Sequence, residues 1–370
     1  MTYAALTGWG KCMPPAILDN AGLATFLDTT DDWITSRTGI RERRISHVPT
    51  TALAHVAAAR ALACAGLEAK DVDLIVLGSC SYDEQVPNSA SGVQALLGAS
   101  RAAAMDVNTA CTSFLYGLST ANAMIRTGVV RNAVVIGVEV ISPFMDWTNR
   151  NVAVLFGDGA AAVVLEATQE RTGLLAEKLG CYADARHILR VRGMGAAYAN
   201  RKVPVGMTIW DFDGQEIFKR AVHGMTEASA AALGRAGLAI GDIDLVVPHQ
   251  ANLRIIEFVG KRIGAKPERV FLTVERYGNM SAATVPVALV DAIEEGRVKP
   301  GAKILTPAFG GGLTFCAHVI QFGDRVTPRG PCAVDLPASG RTGLELVNEI
   351  RAAKGDAALA APGLDAPLVA

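Results

Sequence analysis

The chain has 370 residues, of which 50% are hydrophobic and 19% are charged, and its net charge is −1 because 35 Lys and Arg face 36 Asp and Glu. This composition is typical of a folded globular protein, and the balanced charge argues against a nucleic-acid partner. No apolar run reaches the roughly 18–20 residues needed to cross a bilayer, so we expect no membrane association.

The seven cysteines form neither Cys-x-x-Cys pairs nor a Cys/His cluster with zinc-site spacing, so we expect no metal. The N-terminus lacks the basic segment and the long apolar run of a secretory signal. An odd number of cysteines in such a chain is typical of a reducing compartment, which predicts a cytoplasmic protein.

Short apolar runs alternate with longer Ala- and Leu-rich stretches along most of the chain. The apolar runs predict strands buried on both faces at 74–77, 133–138, 161–165, 245–247, 303–306 and 317–322. The longer stretches predict helices at 53–65, 113–127, 217–236, 253–263 and 283–294. This alternation indicates an α/β fold with helices packed on sheets.

A sequence pattern occurs twice at an offset of 171 residues. The pattern Ala-Gly-Leu-x-x-x-Asp-x-Asp-Leu-x-Val begins at Ala65 and again at Ala236, and the same offset relates Asn108 to Asn279. The repeat predicts two similar α/β halves, 1–172 and 173–323, followed by an extension at 324–370. If the halves pack about a pseudo-twofold axis, Cys111 and Asn279 become neighbours although they lie 168 residues apart.

Two segments depart from the alternation. Residues 181–216 have no clean periodicity, and such a segment inside a compact domain is either a lid over a binding site or a plain connector. Beyond residue 322 the composition turns to Pro, Gly and Ala, which indicates an appended tail with one short helix at 343–354.

Two residues in this pattern are candidates for chemistry. Cys111 follows a short strand signal and begins a helix, where unpaired amides and the helix dipole are expected to lower a thiol pKa and make a nucleophile. The alternative is a small residue packed in a turn. His249 follows the strand at 245–247, at the edge where α/β sheets bind ligands, or else it is a hydrogen-bonded core histidine.

Two further motifs fit the same chemistry. Asn279 is either an ordinary helix cap or an amide donor at a helix start. The three glycines at 310–312 allow backbone amides to approach an oxyanion, and they lack the spacing of a nucleotide-binding loop. Cys, His, Asn and a glycine turn together favour acyl transfer through a cysteine.

The chain resembles the 3-oxoacyl-[acyl-carrier-protein] synthase III family over residues 3–323. The motifs that carry the resemblance are DDWITSRTGIRER at 31–43, DVNTACTSF at 106–114, FGDGA at 156–160, VPHQANLR at 247–254, GNMSAA at 278–283 and FGGG at 309–312. The resemblance implies a thiolase-like fold of five α-β-α-β-α layers. It also implies a catalytic triad of Cys111, His249 and Asn279, with the amides of Cys111 and Gly311 as the oxyanion hole.

The implied reaction has two halves. An acyl-CoA acylates Cys111, and malonyl-ACP then loses carbon dioxide and attacks the acyl group, giving a 3-oxoacyl-ACP. His249 and Asn279 hydrogen-bond the enolate. The family needs no metal or redox cofactor, uses coenzyme A only as part of a substrate, works with acyl carrier protein and forms homodimers.

The resemblance also assigns binding positions. Coenzyme A positions map onto Trp33, Arg37, Arg150, Gly214, Gln215, Phe218, Ala251 and Asn252, with Gln215 in place of the usual Asn. Candidates for docking the acidic carrier protein are Lys219, Arg254, Lys261 and Arg262, which equally fit ordinary solvated helix charges. Val86 stands where acetyl-preferring members carry a Phe that shortens the acyl pocket across the dimer, so we predict primers longer than acetyl.

Other functions compete with this interpretation. A related acyltransferase or a condensing enzyme of a specialised pathway would use the same three residues. A biosynthetic thiolase is disfavoured because Ala308 and Phe309 stand where its second reactive Cys is expected. A cysteine protease lacks its signature here, and a non-catalytic binding module would not need Cys, His and Asn together.

Overall fold

The computed structural model describes residues 1–198 and 207–355. The first half contains β1 (Tyr3–Cys12), β2 (Ala16–Asp19), α1 (Asn20–Ala24), α2 (Asp31–Thr38), β3 (Glu42–Ile45), α3 (Thr50–Ala65), β4 (Leu74–Gly78), α4 (Ser89–Leu97), β5 (Ala103–Val107), α5 (Ser113–Arg126), β6 (Asn132–Glu139), α6 (Arg150–Ala153) and β7 (Gly159–Thr168). Its main sheet has the order β1-β7-β6-β4-β5, in which β4 is parallel to β5 and β6 while β7 is antiparallel to its neighbours.

The second half repeats this plan. It contains β8 (Gly173–Cys181), β9 (Leu189–Arg192), β10 (Ile209–Phe212), α7 (Gly214–Ala236), β11 (Leu245–Val246), α8 (Leu253–Ile263), α9 (Val274–Tyr277), α10 (Thr284–Glu294), β12 (Lys303–Gly310) and β13 (Thr314–Gln321). The sheet order is β11-β12-β13-β8, with β11 parallel to β12 and the other pairs antiparallel. The offset of 171 residues carries the bounds of β6 onto those of β12.

The two sheets enclose a central helical layer. The helices α5 and α10 share one apolar cluster with the inner faces of both sheets, while α3 covers the outer face of the first sheet and α7 that of the second. Close approach of α3 requires Gly8 in β1, because a Cβ there would lie 2.3 Å from the Ala61 carbonyl oxygen. The five α-β-α-β-α layers confirm the predicted thiolase-like architecture.

The repeat is visible in the backbone geometry of two short 3₁₀ turns. Ala110–Thr112 precedes α5 and Ser281–Ala283 precedes α10. Each turn begins with a non-glycine residue in the left-handed region, Ala110 at φ 51° and Ser281 at φ 46°. The two turns contact each other, as the pseudo-twofold arrangement predicts, and we propose 1–172 and 173–323 as the limits of the two halves.

The irregular segment is built around a two-stranded ribbon. Strand β9 pairs antiparallel with β10, and ion pairs from Arg190 and Arg192 to Asp211 link the two strands. Residues 199–206 of the predicted lid or connector lie outside the described residues. Residues of β9 and β10 line the catalytic cavity, which favours the lid over the plain connector.

The extension after residue 323 packs on the first half. Its helix α11 (Gly343–Lys354) has the predicted bounds and lies against β2 and β3. Leu346 and Val347 are buried there, and Lys354 Nζ donates to the Met145 carbonyl oxygen at 3.0 Å. Residues 356–370 of the predicted extension lie outside the described residues. Throughout the described chain, no helix is both long and apolar enough to span a membrane.

Candidate active site

Cys111 lies in the 3₁₀ turn between the end of β5 and the start of α5. Burial raises the pKa of its thiol to about 11, and the charge of Glu139 acts in the same direction. The Ser281 hydroxyl lowers this pKa without offsetting burial. The expectation of a lowered thiol pKa is therefore wrong, because desolvation of the thiolate outweighs the nearby donors.

Two backbone amides converge on the Cys111 sulfur. The amides of Cys111 and Gly311 both face it and lower its pKa. Strand β12 reaches the turn because its last residue is Gly310, where a Cβ would lie 2.8 Å from the Cys111 nitrogen. Two amides directed at one point are the arrangement that stabilises an oxyanion.

His249 lies beyond the end of β11 and is 3% exposed. Its backbone nitrogen donates to the Pro307 carbonyl oxygen at 2.9 Å, which fixes the residue to β12. Burial lowers the pKa of the imidazole to about 3, so the ring is neutral at physiological pH. Nδ1 lies 2.5 Å from the Thr284 hydroxyl oxygen, and among the described residues Nε2 has no partner.

Which ring nitrogen of His249 carries the proton depends on Thr284. The Thr284 hydroxyl has a second acceptor within reach, the Ser281 carbonyl oxygen at 3.1 Å. When this hydroxyl donates to Nδ1, the imidazole proton sits on Nε2 and points toward the cavity as a donor.

Asn279 is held by hydrogen bonds on its backbone and on its side-chain oxygen. Its nitrogen donates to the Leu155 carbonyl oxygen at 2.8 Å, and its own carbonyl oxygen accepts from Gly157 at 3.1 Å. Its Oδ1 accepts from the Ser281 nitrogen at 2.8 Å. This bond is the helix-cap bond that the sequence predicts. Among the described residues none binds Nδ2, so the side-chain NH₂ group remains available as a donor.

Glu139, at the end of β6, is a buried residue behind the cavity wall whose charge acts on Cys111, and the sequence reasoning missed it. The carboxylate is fully buried and accepts from Ser79 Oγ at 3.2 Å, Ser81 Oγ at 2.5 Å, Cys80 N at 3.2 Å and Ala282 N at 3.3 Å. Burial raises its pKa, although these donors lower it. Glu139 thereby joins the end of β4 to the second-half turn. The available signal was an acidic residue ending an otherwise apolar strand.

Cys111, His249, Asn279 and Gly311 line one cavity of about 1680 Å³. The wall contributed by the β9–β10 ribbon is largely apolar and includes Leu189, Val191, Met194, Trp210 and Phe212. The structure thus brings all four residues of the predicted site together from both halves. A thiol, a neutral imidazole, a carboxamide and two amides around one apolar space can perform acyl transfer.

Most of the predicted binding positions line the same cavity: Trp33, Arg37, Gly214, Gln215, Phe218, Lys219, Ala251, Asn252 and Arg254. Arg150 joins them through Trp33, because the Arg37 and Arg150 guanidinium carbons lie 4.6 Å and 5.0 Å from the Trp33 ring centroid. Arg150 also donates to the Asp28 carbonyl oxygen at 2.7 Å. These cationic groups stacked on an aromatic ring suit a nucleotide that carries phosphates.

Three predicted residues lie elsewhere. Val86 is 84% exposed on the surface and does not line the cavity of this single chain. Lys261 and Arg262 are exposed in the last turn of α8, away from the cavity lining. Their predicted roles concern contacts with a second chain or with a carrier protein, so they stay predictions.

Comparisons with known proteins identify the family of the chain. The sequence profile described as 3-oxoacyl-[acyl-carrier-protein (ACP)] synthase III matches residues 105–183, and its C-terminal counterpart matches residues 233–322. A beta-ketoacyl-[acyl-carrier-protein] synthase III 2 of Vibrio cholerae serotype O1 is 50% identical over 347 residues, which cover 94% of this chain and 96% of the relative.

Two solved structures are also similar. The 3-oxoacyl-[acyl-carrier-protein] synthase III of Aquifex aeolicus VF5 superimposes with a TM-score of 0.81 at 38% identity, covering 86% of this chain and 100% of that one. The priming beta-ketosynthase of the R1128 polyketide biosynthetic pathway gives a TM-score of 0.82 at 30% identity, covering 87% of this chain and 97% of that one.

Proposed function

The chain belongs to the 3-oxoacyl-[acyl-carrier-protein] synthase III family, and from that premise we propose that it condenses an acyl-CoA with malonyl-ACP. The enzyme is an acyltransferase of the condensing type, and its products are a 3-oxoacyl-ACP and carbon dioxide. The observation that carries this proposal is the convergence of Cys111, His249 and Asn279, from both halves, on one cavity.

The first half-reaction transfers the acyl group to Cys111. The sulfur attacks the thioester carbonyl carbon, and the amides of Cys111 and Gly311 stabilise the oxyanion that forms. Collapse of the tetrahedral intermediate breaks the bond to the coenzyme A sulfur. The proton lost by the Cys111 thiol balances the proton gained by the departing coenzyme A.

The second half-reaction begins when malonyl-ACP loses carbon dioxide. The developing enolate oxygen accepts hydrogen bonds from Nε2 of His249 and Nδ2 of Asn279. The carbanion then attacks the acyl carbon, and Cys111 leaves as a thiolate. Because the His249 imidazole is neutral, it stabilises the enolate as a hydrogen-bond donor without carrying a charge.

Substrate binding follows the cavity outward from Cys111. We assign the coenzyme A nucleotide to Trp33, Arg37 and Arg150, and the pantetheine arm to Gly214, Gln215, Phe218, Ala251 and Asn252. An acidic carrier protein would dock on Lys219, Arg254, Lys261 and Arg262, where charge attraction raises the association rate. No metal or redox cofactor takes part in these steps.

We also assign a homodimer in the cytoplasm. The seven cysteines are all free in the structure, with Cys181 exposed, which suits a reducing compartment. Strand β5 lies at the edge of the first sheet, and the exposed Val86 lies in the segment between β4 and α4. In a dimer Val86 would border the partner's acyl site, and its small side chain favours primers longer than acetyl.

A mass measurement tests the proposal. Purified protein is incubated with acetyl-, octanoyl- and longer acyl-CoAs and weighed intact. We expect a single acyl adduct, absent in Cys111→Ala, and release of labelled carbon dioxide when malonyl-ACP is added. Absence of an adduct with every acyl-CoA would exclude the proposed function, and a clear preference for acetyl-CoA would exclude the longer primer.

A second candidate keeps the chemistry and changes the pathway. The similarity to a priming ketosynthase of a polyketide pathway favours a condensing enzyme of specialised metabolism. Ratios of kcat/KM for malonyl groups on different carrier proteins separate the two. A strong preference for a carrier outside fatty-acid synthesis would select the specialised role.

A further inference from the structure

A second cavity of about 400 Å³ lies beside the catalytic cavity, and we call it the tail cavity because helix α11 forms one of its walls. Two aromatic side chains, Tyr82 and Phe144, line both cavities. Resting on the proposed function, we propose that the distal part of a medium- or long-chain acyl group on Cys111 passes between Tyr82 and Phe144 into the tail cavity.

A chain of contacts links Tyr82, on the wall shared by the two cavities, to Cys111. Tyr82 is two residues beyond Cys80, whose sulfur lies 3.8 Å from the Ser281 hydroxyl oxygen. The same hydroxyl hydrogen-bonds the Cys111 sulfur. These contacts connect Cys111 to the segment that carries Tyr82, on the wall shared by the two cavities.

The two aromatic side chains form a partition that can move. Both side chains are half-buried, so neither ring is enclosed on all sides. The Phe144 backbone is fixed, since its carbonyl oxygen accepts from Thr208 Oγ1 at 2.5 Å and from Trp210 Nε1 at 3.0 Å. A rotation of either ring joins the cavities without moving the backbone.

The walls of the tail cavity suit an apolar ligand. Val48 and Val140 face it from the first half, and Leu346 and Ile350 from the extension. Its charged side chains already have partners, since Arg341 and Glu349 pair at 2.7 Å and Asp83 accepts from Thr50 N at 2.7 Å. His47 Nε2 lies 2.8 Å from the Pro337 carbonyl oxygen, and His47 Nδ1 is the only buried polar side-chain atom of the described lining without a partner.

The extension holds its wall in a fixed position. Leu346 is 5% exposed and Val347 is fully buried against the first half. Gly343 lets α11 approach β2, because a Cβ there would lie 2.5 Å from the Ile17 carbonyl oxygen. Each methylene group buried against a fixed apolar wall raises the binding constant about fourfold, because burying one CH₂ contributes ~0.8 kcal/mol.

Filling the tail cavity from either side tests the proposal. Ile350→Trp fills it from α11 and Val48→Trp fills it from the opposite wall. Leu344→Trp is the matched control, since Leu344 is partly buried on the same helix but does not line the cavity. Rates of Cys111 acylation by acetyl-CoA and dodecanoyl-CoA are followed by intact mass, and melting temperatures verify that each variant is folded.

We expect both filling variants to lower the ratio of dodecanoyl to acetyl rates by about tenfold or more, and the control to change it less than twofold. An unchanged ratio in both filling variants overturns the proposal, as does wild-type protein that accepts acetyl-CoA but not dodecanoyl-CoA. Failure of the proposed function looks different, because the wild type would then form no adduct with either thioester.

Discussion

The turn before α5 and the turn before α10 have the same backbone geometry and different chemistry. In the first, Oδ1 of Asn108 accepts from the Ala110 nitrogen at 3.1 Å; in the second, Oδ1 of Asn279 accepts from the Ser281 nitrogen at 2.8 Å. In both turns the residue that donates this bond, Ala110 or Ser281, itself has the left-handed backbone conformation. One scaffold is thus used twice.

The difference lies in the next position. Cys111 directs its amide toward its own sulfur, whereas the corresponding Ala282 donates its amide to the buried Glu139 carboxylate. In the proposed mechanism the first turn therefore supplies a nucleophile and an oxyanion donor, and the second supplies a side-chain donor on a rigid support. Two copies of one turn can therefore serve different functions in a single site when the fold brings the copies into contact.

The largest expected effect comes from the nucleophile. Cys111→Ala removes the covalent step, and we expect condensation to fall by roughly 10⁴-fold or more. Adding Ala282→Cys to that variant places a thiol on the matching turn. We expect no recovery, because the amide there is bound to Glu139 and cannot stabilise an oxyanion. An acyl adduct on the introduced thiol would contradict the division of tasks.

The two asparagines allow a matched comparison. Asn279→Ala and Asn108→Ala each remove one turn-stabilising bond, but only the former removes the proposed donor to the enolate. We expect release of carbon dioxide from malonyl-ACP to fall about 10²–10³-fold in Asn279→Ala, and by less than about tenfold in Asn108→Ala, since a lost cap costs ~1 kcal/mol. Equal losses would mean that both residues act only on the turns.

A variant at Thr284 tests how this hydroxyl orients the imidazole of His249. Thr284→Val removes the hydroxyl that lies 2.5 Å from His249 Nδ1 and that, in the proposed mechanism, donates to Nδ1 so that the imidazole proton sits on Nε2. We expect decarboxylation to slow by about tenfold, equivalent to ~1.4 kcal/mol, while acylation of Cys111 changes less. Thr226→Val is the control, because its hydroxyl bonds the Val222 carbonyl oxygen within α7 and Thr226 does not line the cavity. Equal effects on both half-reactions would indicate general disruption.

The smallest effect concerns the pH dependence of Cys111. Alkylation by iodoacetamide follows the thiolate, so the wild-type rate is expected to rise with pH up to about 11. Glu139→Gln removes a negative charge that raises the thiol pKa, which must shift this profile toward lower pH and speed alkylation severalfold at pH 8. Glu166→Gln, a partly buried carboxyl on β7, serves as the control. A shift toward higher pH would contradict the assigned charge.

The elements that were predicted well are those whose pattern is local. Helix α8 and helix α11 begin and end where the sequence predicts, since each has a side-chain cap at its start, Asn252 and Thr342. Strand β1 is absent from the predicted strands because Gly8 and Gly10 interrupt its apolar pattern, although Gly8 is needed for the approach of α3. Strand β8 was missed because Glu177 and Lys178 interrupt its apolar run at the surface of the sheet.

The sequence by itself determined the repeated α/β plan and the candidates for the reactive side chains, because backbone preferences and motif spacing are properties of neighbouring residues. Only the tertiary structure decided the protonation states of Cys111 and His249, the buried carboxylate of Glu139 and the cavity beneath α11. These depend on desolvation and on charges brought together from distant parts of the chain, which no local pattern records.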